Sequence, residues 1–243
     1  MIYLTTNITN QNLICLCWAI FLLSCSSTTK RNLAYEIHGI DVSRYQLDIN
    51  WVEVLKDSIQ FVFVKTTEGG DYQDPNYAQQ WKALERLPVK RGAYHFFLPK
   101  TPVQDQIDNF YLHARLSAGD LPPVVDFERT QNLPAPQIES QLTFMLDGLE
   151  DKYGVKPIIY TNLKLYFGHI AGRFDEYPIW IARYSDRSPK LSSQYTWTFW
   201  QYSNRGRVKG IQGPVDLNVF RGSQKQLEAL CLKEDPHNTG DAF

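Results

Sequence analysis

Cysteine is scarce where a folded domain is expected. The 243-residue chain has four cysteines, three of them within the first 25 residues and the fourth at Cys231. Residues 38–222 contain none, which excludes a disulfide framework and a cysteine-based metal site there. The five histidines show no pair at a metal-ligand spacing such as i, i+4. Binding of a hard cation by carboxylates alone stays open.

An excess of charge of one sign is also lacking. The chain has 25 basic and 26 acidic residues, for a net charge of −1. Nucleic acid is therefore not an expected partner, because proteins that bind it normally carry a basic excess. No nucleophile elbow, glycine-rich phosphate loop or dinucleotide fingerprint occurs, so no cofactor is expected. The 43% hydrophobic content suffices for one sizeable core.

Long apolar runs are absent as well. The run LICLCWAIFLL at 13–23 suits the core of a signal peptide and is too short to span a bilayer comfortably. It leads into LLSC at 22–25, where a small residue precedes cysteine as in bacterial lipoprotein signals. We expect residues 1–25 to form a lipoprotein-type signal peptide ending at Cys25, followed by a polar tether at 26–37. A plain signal peptide or a buried helix is the alternative.

From His38 onward, short β-rich runs alternate with helical stretches. The expected strands are 38–42, 61–66, 91–97, 122–127, 157–161, 178–184, 196–203 and 214–220. The expected helices are 50–58, 75–87, 102–116 and 136–153, with shorter ones near 163–169 and 223–232. Helices separate the first five strands and the last three follow closely, which predicts an α/β fold, a parallel barrel ending in a β-rich segment. Residues 223–243 are expected to form a C-terminal helix and a disordered tail.

The segment LPPVVDFERT at 121–130 carries an unusual pair of acids. Alternate residues of a strand share a face, so Asp126 and Glu128 project side by side. Close carboxylates repel, which raises the pKa of one of them. In a parallel barrel, functional groups lie at the C-terminal ends of the strands. Five acids are expected to converge on that rim: Asp41, Glu68, Asp126, Glu128 and Asp216.

Paired carboxylates without a cysteine or histidine cluster suit glycoside hydrolysis. One carboxylic acid protonates the leaving oxygen, while the second carboxylate stabilises or attacks the oxocarbenium-like centre. Repulsion between the two keeps one protonated near neutral pH, as an acid catalyst requires.

An ordered set of eight motifs resembles glycoside hydrolase family 25, the Chalaropsis-type lysozymes or N-acetylmuramidases. The resemblance covers about residues 38–222, nearly the whole expected mature chain. The motifs are GIDVSRYQ (39–46), FVFVKTTEGG (61–70), RGAYHFF (91–97), PVVDFE (123–128), PIIYTN (157–162), PIWIARY (178–184), WQYS (200–203) and VDLN (215–218).

The resemblance implies a flattened, TIM-like β/α barrel with eight strands and fewer than eight helices. It also implies hydrolysis, with retention, of the β-1,4 bond between N-acetylmuramic acid and N-acetylglucosamine in peptidoglycan. Glu128 matches the family's general acid and Asp126 the second carboxylate, which we expect to stay charged while Glu128 keeps the proton. The expected substrate-binding residues are Asp41, Asp216, Glu68, Tyr160, Tyr94, Trp180 and Gln201.

Several alternatives stay open. Asp126 either attacks the sugar or orients the substrate's own acetamido group, and we favour the second mechanism. A catalytically silent peptidoglycan-binding module of the same fold, or a hydrolase of another N-acetylhexosamine polymer such as chitin, would share many of these residues. We expect an exported monomer, lipid-anchored in the bacterial cell envelope, that acts on peptidoglycan glycan strands without a metal or cofactor.

Overall fold

The computed structural model describes residues 31–192 and 196–234. The expected signal peptide at 1–25 with its Cys25, the first part of the tether and the tail at 235–243 lie outside the described residues. Among the helices of the described part, none is both long and apolar enough to cross a membrane.

Eight strands close a barrel, as the sequence predicts. They are β1 Ile37–Val42, β2 Phe61–Glu68, β4 Lys90–Phe96, β5 Val124–Asp126, β6 Ile158–Asn162, β7 Ile179–Ala182, β8 Phe199–Gly206 and β9 Val215–Phe220. The order around the barrel is β1-β2-β4-β5-β6-β7-β8-β9, and β9 pairs back onto β1. A two-residue strand, β3 (Tyr72–Gln73), pairs with the end of β2 outside this ring.

The last strand runs against its neighbours. β9 is antiparallel to both β8 and β1, whereas the other strand pairs of the barrel are parallel. The expectation of a parallel barrel is therefore wrong for this strand. The reason is the short connection at 207–214, since a parallel return needs a crossover of a dozen or more residues. The reversal brings the beginning of β9 to the rim where β1 ends, and Asp216 pairs with Asp41 in register.

Six α-helices occur in the described residues, fewer than the eight of a regular β/α barrel. They are α1 Trp51–Lys56, α2 Tyr77–Leu84, α3 Val103–His113, α4 Ala135–Tyr153, α5 Leu163–Leu165 and α6 Gln224–Leu230. A π-helical turn, Tyr166–Ile170, follows α5. The helix α4 begins after Pro134 and ends at Gly154, which adopts the left-handed conformation that favours glycine.

Apolar side chains fill the barrel below the rim. Phe61, Phe63 and Phe199 lie in the interior, where the Phe63 ring stacks on Trp180 with centroids 4.3 Å apart. Alternate residues of β2, such as Val62 and Val64, face the helices instead. Leu227 of α6 and Cys231 belong to the interior cluster. Above these side chains, the C-terminal rim of the barrel holds an open cavity lined by the acids.

Part of the expected tether rests on the barrel. The Tyr35 ring packs against Trp197 and Trp200, with centroids 5.3 and 6.0 Å apart. The backbone N–H of Asn32 donates to the Tyr202 hydroxyl over 3.4 Å. Residues 31–36 are therefore docked on the domain, and β1 follows them directly at Ile37.

Candidate active site

A cavity of about 220 Å³ opens at the C-terminal rim and contains four of the five expected acids. Asp41 lies in β1, Asp126 ends β5, Glu128 follows β5, and Asp216 lies near the beginning of the reversed β9. The other cavity-lining residues are Ser43, Tyr45, Lys65, Tyr94, Phe96, Tyr160, Trp180, Tyr184 and Gln201. The structure thus brings together every expected substrate-binding residue except Glu68.

The pleat of β5 arranges the central pair. Val124 packs inside the barrel and Val125 and Phe127 pack against the helices, so Asp126 faces the cavity. Asp126 is 5% exposed, whereas Glu128 lies at the solvent-exposed mouth. The two carboxyls are hydrogen-bonded to each other. Within the described residues, the Oδ1 atom of Asp126 has no hydrogen-bond partner, so it is available to a donor from a ligand.

Burial is the largest cause of the pKa shifts of both members of this pair. It raises the pKa of Asp126 well above its ordinary value, and the charge of Glu128 raises it further. Burial also raises the pKa of Glu128, but the hydrogen bond from Asp126 opposes that shift. The rise at Glu128 has the expected direction. The expectation that Asp126 stays charged remains a prediction for the substrate complex, because burial favours the neutral form of this deeper carboxyl in the free cavity.

The second acid pair is organised by two amides. The Nε2 of Gln201 and the Nδ2 of Asn218 donate to the same oxygen, Oδ2 of Asp41, over 2.9 and 2.7 Å. Asp216 also hydrogen-bonds to Asp41. Burial raises the pKa of Asp41, but these three hydrogen bonds favour its charged form. Burial and the Asp41 charge raise the pKa of Asp216 to about 9, so Asp216 carries the proton at neutral pH.

The amides are oriented by aromatic donors. The Tyr160 and Tyr184 hydroxyls donate to Oε1 of Gln201 over 2.8 and 3.2 Å, and Nε1 of Trp180 donates to Oδ1 of Asn218 over 2.8 Å. Each amide oxygen is thereby occupied, which turns its NH₂ group toward Asp41. Sequence reasoning missed Asn218 as a site residue. Its position two residues after Asp216 in one strand, hence on the same face, is the signal that could have found it.

Glu68 lies at the rim but outside the acidic cavity. Its Oε2 pairs with Nζ of Lys65 over 2.6 Å, with 33% and 17% of the two side chains exposed. Lys65 lines the acidic cavity, whereas Glu68 faces a larger neighbouring cavity. Lys65 lowers the pKa of Asp126, though less than burial raises it. Within residues 31–192 and 196–234, no group of three or more His, Cys, Asp or Glu side chains is arranged to hold a metal ion.

A closed β/α barrel that holds a buried acid beside an exposed one at its rim supplies the two carboxyl groups that glycoside hydrolysis uses. The family model for glycosyl hydrolases family 25 matches residues 40–211. The chain therefore belongs to glycosyl hydrolase family 25, as the motif set indicates.

Relatives and solved structures agree with this assignment. The chain is 41% identical over 210 residues to the Escherichia coli K12 protein YegX, described as uncharacterized, covering 84% of this chain and 77% of that protein. It is 32% identical to Lysozyme M1 of Streptomyces globisporus, covering 80% and 71% of the two chains. A family 25 glycosyl hydrolase structure from Bacillus anthracis superposes with a TM-score of 0.79 at 32% identity, covering 85% of this chain and 99% of that one.

The protonated Asp216 predicts a pH-dependent stability. Because the folded protein binds this proton more tightly than the unfolded chain, its contribution is fully present below the ordinary aspartate pKa of about 3.9. It is lost as the pH rises toward about 9, the folded-state pKa. Asp216→Asn, which cannot ionise, should match the wild type near pH 4 and exceed it in melting temperature at pH 8.

Thermal melts from pH 4 to 9 measure this difference. Asp151→Asn, on the exposed face of α4, is the matched control and should follow the wild-type curve throughout. A constant offset between Asp216→Asn and the wild type across this range would contradict a raised pKa at Asp216.

Proposed function

We propose that this glycoside hydrolase cleaves the β-1,4 bond between N-acetylmuramic acid and N-acetylglucosamine in bacterial peptidoglycan, with retention. The observation that carries the proposal is the hydrogen-bonded pair of Asp126 and Glu128 at the end of β5, in a barrel of family 25. The similarity to Lysozyme M1 supports peptidoglycan as the substrate.

Glu128 is suited to be the general acid because it lies at the mouth, where the leaving oxygen would approach. A bound sugar would displace water from Glu128, which raises its pKa, and its acetamido N–H would donate to Asp126, which lowers the pKa of that group. Both effects favour a protonated Glu128 beside an ionised Asp126. The charge of Asp41 also raises the pKa of Glu128 and so favours the protonated acid.

The geometry of the pair favours participation of the substrate's acetamido group. Where one carboxyl is the acid and the other the nucleophile, the two stand about 5–5.5 Å apart across the sugar. Here each carboxyl shifts the pKa of the other at the end of β5, and among the described residues Oδ1 of Asp126 has no partner and is open to the acetamido N–H. The acetamido oxygen therefore attacks the anomeric carbon, the bond to the leaving oxygen breaks, and Glu128 gives that oxygen its proton. Ionised Asp126 stabilises the positive charge that develops on the acetamido nitrogen.

Water completes the reaction. It attacks the anomeric carbon from the face that the leaving group vacated, gives its proton to the Glu128 carboxylate and restores the acetamido group. Two successive inversions at this carbon give net retention.

The N-terminal sequence supports an exported, lipid-anchored enzyme of the bacterial cell envelope, with the lipid on Cys25. With residues 31–36 docked on the barrel, only a few residues would separate that lipid from the domain. Cys25→Ser should therefore move the protein from the membrane fraction to the soluble fraction of the producing cell. Unchanged membrane fractionation of this variant would contradict lipidation.

Removal of the acid gives the first test of activity. Glu128→Gln should lower the rate of clearing of purified peptidoglycan by about 10²- to 10⁴-fold, because general acid catalysis contributes about that factor. Asp126→Asn should also be strongly impaired, since it loses the charge that stabilises the intermediate. Glu139→Gln, a change on α4 away from the cavity, is the matched control and should keep wild-type activity.

The activity of the wild-type protein on peptidoglycan and on chitin separates the muramidase from the two alternative functions. A wild-type protein that binds peptidoglycan without clearing it would be a silent binding module. Clearing of chitin but not of peptidoglycan would assign the enzyme to another N-acetylhexosamine polymer.

The acetamido mechanism has a test of its own. Replacing the N-acetyl group of the cleaved sugar with N-trifluoroacetyl weakens its oxygen as a nucleophile. Rates on soluble glycan oligomers should fall steeply from acetyl through difluoroacetyl to trifluoroacetyl if this oxygen attacks. Rates that hardly change along the series would instead assign the attack to Asp126.

A further inference from the structure

A second and larger cavity adjoins the acidic one. It has a volume of about 850 Å³ and lies along the ends of β1 and β2 and the beginning of α3. The two cavities share Ser43, Tyr45, Lys65 and Phe96 in their linings. A ligand whose reacting sugar occupies the acidic cavity would therefore have a neighbouring part in the larger one.

Two guanidinium groups face this cavity without a carboxylate partner. Arg44 donates to the hydroxyls of Tyr45 and Tyr72 over 3.1 and 3.3 Å, and Arg129 lies over the Phe96 ring, 5.2 Å from its centroid. Among the ion pairs of the described residues, neither arginine takes part. Lys65 differs, because Glu68 neutralises it. The cavity thus presents two cations that an anionic ligand could pair.

The same cavity also presents acids. Asp71 and Asp105 line it and are exposed to solvent. It is therefore suited to a ligand that carries both carboxylates and an amine, held by ion pairs at separate points. A plain sugar chain has neither group.

We propose that the larger cavity binds the stem peptide of the peptidoglycan substrate, with Arg44 and Arg129 pairing its carboxylates. This inference rests on the proposed function. In peptidoglycan the glycan backbone is uncharged where the lactyl carboxyl forms an amide, and the free carboxylates and amine belong to the peptide. That peptide is attached to the muramic acid, which is the sugar whose bond is cleaved. It would therefore extend out of the acidic cavity from that sugar. Lys65 and Phe96 line both cavities, and the lactyl group would pass from the acidic cavity to the larger one beside them.

The proposal makes Arg44 a determinant of specificity rather than of catalysis. Arg129 is the less informative site, because its charge also lowers the pKa of Glu128. Arg44 has no such effect on the acid pair among the causes of their pKa shifts. Its backbone N–H, which donates to Oδ2 of Asp74 over 3.0 Å, would be retained in any substitution.

The test compares two soluble substrates that differ only in the peptide. One is a glycan oligomer with its stem peptides, and the other is the same oligomer after amidase has removed them and the freed lactyl carboxyl has been converted to its methylamide. The measured quantity is the ratio of kcat/KM on the first to kcat/KM on the second. Arg44→Gln should lower this ratio about tenfold, as expected for a lost charge-assisted hydrogen bond, and Arg44→Lys should recover part of it. Arg86→Gln, an exposed arginine at the opposite end of the barrel, is the control.

Each result either supports or overturns the assignment of the larger cavity to the stem peptide. An equal loss on both substrates, or an unchanged ratio, would overturn the proposal while leaving the muramidase function intact. A wild-type protein that cleaves neither substrate would contradict the proposed function instead. Binding of the free stem tetrapeptide, followed by NMR, then gives the answer independently of activity: weaker binding by Arg44→Gln supports the peptide site, and equal binding by both proteins excludes it.

Discussion

Four carboxyl groups share one small cavity at the rim of the barrel, and they cannot all be charged together. Burial opposes ionisation of each, and mutual repulsion adds to it. The other polar groups of the cavity compensate for this repulsion. Two amides donate to Asp41 and favour its charged form against burial, while burial raises the pKa of both Asp126 and Glu128. Cleavage of a glycosidic bond needs a proton that the cavity holds until the substrate binds and then gives to the leaving oxygen.

The aromatic interior of the barrel holds these groups in place. The rings of Phe63 and Trp180 stack within the barrel, and Trp180 then donates to Asn218, which donates to Asp41. The orientation of a charged group is thereby tied to packing in the hydrophobic core, which is rigid and fully buried. Repulsion among the acids lowers stability at neutral pH, and the filled aromatic interior offsets it. Such tension between stability and function is common at catalytic sites.

Much of this was predictable from the sequence, for identifiable reasons. Motif order and strand spacing predicted eight strands, and the acids at the ends of β1 and β5 fell where a parallel barrel places them. The direction of β9 was not predicted, although it is what brings Asp216 to the same rim. Glu68 faces the neighbouring cavity, where it forms a salt bridge with Lys65. The spacing of Asp126 and Glu128 predicted their common face but not their depth, and depth makes burial the largest cause of the raised pKa of each.

The central claim is that this cavity cleaves the glycan of peptidoglycan after N-acetylmuramic acid. Digestion of defined peptidoglycan by the wild-type protein, with mass spectrometry of the borohydride-reduced fragments, tests it most directly. The account predicts fragments that end in reduced N-acetylmuramic acid. Fragments ending in reduced N-acetylglucosamine, or no fragments at all, would contradict it.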